Sequence, residues 1–163
     1  MKRLSPRELE LSHYDGIGRL PHFTPDLDRP DGDLPAEVAA FRASIAAADA
    51  LIIASPEYAH GIPGSFKNAL DWLVGGPEFP GKPIMLVHAA ARGTHARAAL
   101  REVLTTMSGQ VLDVTLTVPL LGSRVDPAEI TADATWAAAI RTGLDHFAAA
   151  LLSSRPGGRS RDT

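Results

Sequence analysis

A chain of 163 residues, 45% hydrophobic and 21% charged, has the size and composition of one globular domain, large enough to bury roughly two-thirds of its unfolded surface. The net charge is −3 with scattered arginines, which leaves no footprint for nucleic acid, and the absence of cysteine excludes disulfides, thiolate metal sites and cysteine nucleophiles. No run approaches the roughly 18 to 20 apolar residues of a membrane helix, and Lys2-Arg3 has no apolar stretch behind it to make a signal peptide, so a cytoplasmic chain with no membrane partner is expected.

In chain order, Glu8 to Tyr14 alternates weakly and reads as a short polar strand, followed by a turn at Asp15 to Gly18. Pro21, Pro25, Pro30 and Pro35 rule out a continuous helix between Leu20 and Asp33 and predict an extended surface loop. Asp33 is placed to cap the next helix. From Pro35 to Ala48 the apolar residues Val38, Phe41, Ile45 and Ala48 recur at helical spacing. Leu51-Ile52-Ile53-Ala54 is a short, branched, continuous run, expected as a strand buried on both faces. Pro63 to Val74 predicts a second helix, stopped by Gly75-Gly76-Pro77. Ile84 to Val87 is another buried strand, and Thr94 to Ser108 a third helix with Gly109 as its stop. Val111 to Val118 alternates, as a strand at a sheet edge does, and Asp133 to Leu152 forms a long closing helix. Residues 153–163 have nothing to bury and are expected to be a disordered tail behind a single domain spanning 1–152. Strand and helix alternate throughout, which predicts an α/β fold: a parallel sheet with helices on both faces.

Two loops at the carboxyl ends of strands are candidate ligand sites, because α/β proteins bind there. In Ser55 to Gly64, Pro56 and Pro63 fix φ at both ends, and Gly61 and Gly64 allow positive φ and close approach of a ligand to the backbone. The result is a rigid arc of backbone N–H groups, with Tyr58 offering a flat ring or a hydroxyl. The helix behind it reads as Phe66, Leu70 and Leu73 in the core, with Asn68 and Asp71 on the solvated side. The second loop, His88 to Thr94, leads small residues and Arg92-Gly93 into a helix N-terminus, which carries partial positive charge. None of the six histidines stands at a metal-ligand spacing with supporting carboxylates. His95, at a helix start, reads as a cap or surface group. No Gly-x-Ser-x-Gly elbow supports hydrolase chemistry.

The string Ser55-Pro56-Glu57-Tyr58 with Gly61-Ile62-Pro63-Gly64 and Lys67-Asn68-x-Leu70-Asp71-Trp72 resembles the signature of the NAD(P)H-dependent FMN reductase family of flavodoxin-like proteins. The resemblance implies a three-layer αβα fold and an enzyme passing a hydride from NAD(P)H to FMN. From FMN it would go to a small-molecule acceptor: a quinone, azo or nitro compound, flavin or metal. It implies flavin contacts at Pro56, Glu57, Tyr58, Ala59, His60 and Gly61 from the first loop, and at Ala89, Ala91, Arg92 and Gly93 from the second. Arg92 is also a candidate for an NAD(P)H phosphate. No side-chain acid or base is required, since the cofactor carries the chemistry. A homodimer or tetramer is implied, packed through the helix after the first loop. The second loop departs from the family pattern, with Ala89, Ala90 and Ala91 where glycine and serine are expected. The family's opening strand, helix and Gly-Ser-x-Arg phosphate loop have no counterpart here. Two explanations stand: a chain whose recorded start is late, or a variant in which Glu8–Tyr14 pairs directly with Leu51–Ala54. The same omission keeps open an alternative function, a flavin-poor, non-catalytic dimerisation module.

Overall fold

Among the described residues, two branched apolar runs and one alternating segment make three strands, and five α-helices wrap them. In this computed structural model, which describes residues 1–29, 32–88, 93–117 and 126–154, the order is α1 (Ala36–Ala47), β1 (Leu51–Ala54), α2 (Gly64–Asp71), β2 (Pro83–His88), α3 (Thr94–Thr106), β3 (Gln110–Thr117), α4 (Pro127–Ala132) and α5 (Ala134–Ser154). The strands pair in parallel in the order β1-β2-β3. Leu51 stands opposite Ile84, and Ala54 opposite Val87. A register shift between Ile84 and Leu86 interrupts the β2–β3 ladder.

Side-chain alternation along β2 divides the core in two. Ile84 and Leu86 pack with Val38 and Phe41 of α1, Leu70 of α2 and Leu100 and Leu104 of α3. Met85 and Val87 pack on the other face with Ile140, Leu144 and Phe147 of α5. The layers are therefore helices, parallel sheet, helix, the flavodoxin-like three-layer arrangement expected. Among the described residues β2 lies between β1 and β3, and β3 stands at one margin, the place its alternation predicted.

Several expectations are corrected. β1 packs on both faces, Leu51 and Ile53 against α1–α3 and Ile52 on the α5 side. These residues are only half-buried, however, and Ala54 is exposed, since among the described residues β1 has one ladder partner and its other edge is open. Glu8–Tyr14 forms no strand. Leu9 and Leu11 pack with Ile52 in the α5-side cluster, whereas Tyr14 sets its ring 5.1 Å from Phe41 on the opposite side. Leu9 and Leu11 on one side and Tyr14 on the other are what extended alternation gives, so the segment fails as a strand for want of ladder pairing among the described residues. The proline-rich stretch is not uniformly extended, since Pro25–Leu27 forms a 3-10 turn.

Helix ends also differ. Asp33 does not cap α1; Pro35 holds the N-cap position, with no side-chain cap, and Asp33 lies two residues too early to reach the first turn. α3 ends with Ser108, not Gly109, in the left-handed region at φ 64. Gly109 is there for closeness instead: its N–H donates to the Leu104 carbonyl at 2.8 Å, and a Cβ would meet Ile84 Cδ1 at 2.8 Å. α4 was not anticipated from the sequence. Its signal is Asp126-Pro127-Ala128-Glu129, a capping box with proline at the first position. α5 runs through Ser154, two residues into the expected tail, and residues 155–163 lie outside the described residues.

Candidate functional site

β1 delivers its chain at Ala54 into the first loop, and the turn that follows has a definite form. Tyr58 and Gly61 exchange backbone hydrogen bonds, Tyr58 N–H to the Gly61 carbonyl at 3.1 Å and Gly61 N–H to the Tyr58 carbonyl at 2.9 Å. Between them Ala59 and His60 take φ of 48° and 61°, the handedness of a type I′ turn. Gly61 and Gly64, which allow positive φ, do not take it; the left-handed positions fall on two residues with side chains, at a cost of roughly 1 kcal/mol each. The turn uses the N–H groups of Tyr58 and Gly61 on one another. Other N–H groups along the loop, those of Glu57, Ala59 and His60 among them, bond to no acceptor among the described residues. Tyr58 projects into solvent, 66% exposed.

Glu57 points the other way. Its Oε2 accepts the Ala96 N–H of α3 at 2.7 Å. That N–H belongs to the first turn of the helix and has no partner within it. The N-cap residue, Gly93, has no side chain to offer and takes φ 125°, so a carboxylate from the neighbouring loop supplies the cap. Its negative charge also suits the positive end of the helix. Glycine is needed at 93 for its φ of 125° and not for space, since a Cβ there would make an ordinary 3.5 Å contact with Glu57 Cβ. Beside this cap the imidazoles of His60 and His95 stack, centroids 4.4 Å apart and planes 23° from parallel. Glu57, His60 and Gly93 therefore converge, joined by His95, which the sequence had placed as a cap or surface group. Pro56, Tyr58 and Ala59 are exposed beside them, and Gly61 is half-buried. Ala89, Ala91 and Arg92 lie outside the described residues. Nothing local in the sequence announces the Glu57–Ala96 bond, because the partners are 39 residues apart.

The helix behind the loop is fixed by a residue whose role the sequence reading misplaced. Asn68 is not on a solvated face. Its Oδ1 accepts the Phe23 N–H at 2.8 Å, and its Nδ2 donates to the Pro21 carbonyl at 2.9 Å. The fully buried Trp72 donates from Nε1 to that same carbonyl at 2.8 Å. The proline-rich segment is thereby tied to α2, and α2 holds the loop's far end. Asp71 does face outward, paired with Lys67 at 2.5 Å.

At the end of β2, His88 is half-buried. Burial first, and then the positive charges of Arg97 and Arg101, hold its imidazole below the ordinary value of 6.5. The stiff, donor-bearing turn and the exposed aromatic ring suit a flat heteroaromatic group with acceptors along one edge, which a flavin ring is.

Comparison with known proteins agrees. The family model for NADPH-dependent FMN reductase matches residues 2–120. A quinone reductase of Escherichia coli K12 is 30% identical over 118 residues, which are 69% of this chain and 62% of that protein. A 2-hydroxy-1,4-benzoquinone reductase of a Burkholderia species is 44% identical over 69 residues, 42% of this chain and 36% of that protein. Among solved structures, the flavoenzyme NAD(P)H:(acceptor) oxidoreductase FerB from Paracoccus denitrificans superposes with a TM-score of 0.70 at 24% identity, covering 93% of this chain and 85% of that one; this likeness bears on the fold. The chain spans less than two-thirds of the length of the curated quinone reductase it matches. A family match covering most of the chain, the shared fold and the loop motif agree: the chain belongs to the NADPH-dependent FMN reductase family.

Proposed function

We propose that this chain is an NAD(P)H-dependent FMN reductase acting on a quinone-type acceptor. The observation that carries the reading is the lock between the two loops, Glu57 Oε2 on the Ala96 N–H at 2.7 Å, which holds the donor-bearing turn against the N-terminus of α3. FMN, when bound, supplies the hydride chemistry. The chain's part is to bind and orient. The N–H groups of Glu57, Ala59 and His60 face the acceptors of the ring edge, Pro56 and Gly61 bound the arc, and the Tyr58 ring lies against the flavin or the incoming acceptor. Ala89, Ala91, Arg92 and Gly93 cover the other side. The quinone class is favoured by the names of the Escherichia coli and Burkholderia relatives; azo, nitro, flavin and metal acceptors are further candidates. The working form is a cytoplasmic homodimer or tetramer. No described helix is long and apolar enough to cross a membrane.

The test is a titration of the purified chain with FMN, following the flavin's visible band and fluorescence, then NADPH and NADH oxidation with a benzoquinone. Saturable FMN binding at micromolar concentration with quinone-dependent turnover is expected. The absence of both defeats the proposal. One observation favours a second reading, a flavin-poor dimerisation module: β1 has a single ladder partner among the described residues. That reading is supported by a stable dimer that takes up no flavin.

A further inference from the structure

His88 closes β2, and its partner across the ladder is Thr117 of β3. Ile84 and Leu86 face α1–α3, so by alternation His88 faces the same side, and Thr117, exposed, stands next to it. Over this corner lies α3. Its core stripe is Ala96, Leu100 and Leu104, and Arg97 and Arg101 follow one position later along one flank, four residues apart and therefore neighbours on the helix surface. Their positive charges, after burial, hold the His88 imidazole below its ordinary value, in keeping with their place on this flank of α3.

This cationic corner lacks acid partners. Neither arginine, nor His88, takes part in any ion pair among the described residues, and Glu102 on α3 and Asp113 on β3 form none with them. Arg97 Nε is shut from solvent with no hydrogen-bond acceptor. A buried donor left unpaired is unusual in a folded protein. Because Arg97 makes no hydrogen bond from Nε in this pose, turning outward to meet a ligand gives none up. Two arginines four residues apart, with a hydroxyl and an imidazole below, suit an oxyanion with several acceptor oxygens, since guanidinium forks match phosphate geometry.

We propose that His88, Arg97, Arg101 and Thr117 form a binding site for a phosphate-type oxyanion, separate from the turn at residues 58–61. The site is open to free inorganic phosphate and to the phosphate of a nucleotide, and it does not depend on the flavin reading. In the bound state the two arginines straddle the anion and the Thr117 hydroxyl donates to a third oxygen.

The test is calorimetric titration of inorganic phosphate into the flavin-free full chain at constant ionic strength, followed in parallel by the His88 imidazole signals in NMR. Saturable binding is expected, with His88 signals shifting along the same isotherm. The double variant R97Q/R101Q should weaken it by roughly tenfold or more, and R97K/R101K by less, because lysine keeps the charge but loses the fork. R19Q, at a surface pair with Asp15, serves as a control that leaves binding unchanged. Melting curves of each variant confirm folding, and if R97Q/R101Q does not fold, T117V and the R97K/R101K pair carry the test. Adenosine 2′,5′-bisphosphate competing for the site more tightly than phosphate identifies a nucleotide as the source. Weaker competition identifies the free ion. Absence of saturation, unmoved His88 signals, or equal affinity in R97Q/R101Q overturns the proposal. FMN binding by the same sample, with or without phosphate binding, reports separately on the flavin reading.

Discussion

Replacing Glu57 separates the two contributions of its carboxylate. Glu57→Ala removes the acceptor for the Ala96 N–H and the negative charge at the positive end of α3. Loss of a helix cap costs about 1 kcal/mol, and loss of a charge beside a helix N-terminus about 0.3–1 kcal/mol. The alanine variant should therefore lose about 1.3–2 kcal/mol. For a domain of this size that is a fall in Tm of about 3–8 °C. Glu57→Gln keeps an acceptor oxygen and loses only the charge, so its fall should be less than half as large. Thermal unfolding by circular dichroism near neutral pH, at low and high salt, measures both. The gap between parent and glutamine variant should narrow at high salt, since the charge–dipole term is screened and the hydrogen bond is not. An alanine variant melting within about 1 °C of the parent, well short of the expected fall, would refute the reasoning, as would a glutamine variant less stable than alanine.

Two further outcomes follow from contacts elsewhere. Asn68→Ala leaves the Phe23 N–H without its acceptor, while the Pro21 carbonyl retains Trp72 Nε1. The loss should be about 1–2 kcal/mol in urea unfolding, with faster hydrogen exchange at the Phe23 amide; unchanged exchange there contradicts the assignment. His88 is held below its ordinary 6.5 by burial and then by Arg97 and Arg101, so the unfolded chain binds a proton that the folded chain refuses. Stability should be fully present above pH 6.5 and decline as pH falls through the window below it. His88→Gln should flatten that slope, and a parent whose stability is level there speaks against it.

Much of the scaffold was legible because it rests on short-range pattern. The branched runs of β1 and β2, the alternation of β3 and the helical spacing of α1, α2, α3 and α5 each show within one element. The order strand–helix–strand then implies a parallel sheet. What could not be read depends on partners far away in the chain. Asn68 looks like a solvated helix residue until Pro21 and Phe23 are brought beside it. Glu57 looks like part of a ring-binding arc, yet its side chain serves α3. The left-handed turn fell on Ala59 and His60, where residue preference points instead to the glycines. Glu8–Tyr14 had weak alternation, but its leucines find apolar neighbours without a ladder. The motif identified the family from residues whose individual work was in part misassigned.

The spatial order of the strands repeats their order in the chain, with a consequence for synthesis. As the chain leaves the ribosome, each new strand meets the one just made, and α1, α2 and α3 close over one face as they appear. The opposite face, bearing Met85, Val87 and Leu116, has only the early segment with Leu4, Leu9 and Leu11 beside it until α5, the last described element, is made. Until residues 134–154 emerge, the nascent sheet carries an incompletely covered apolar surface, the kind of patch on which a chaperone holds or a neighbouring chain sticks. A ribosome that stops short of Ala134 would release a species with one finished side and one adhesive side.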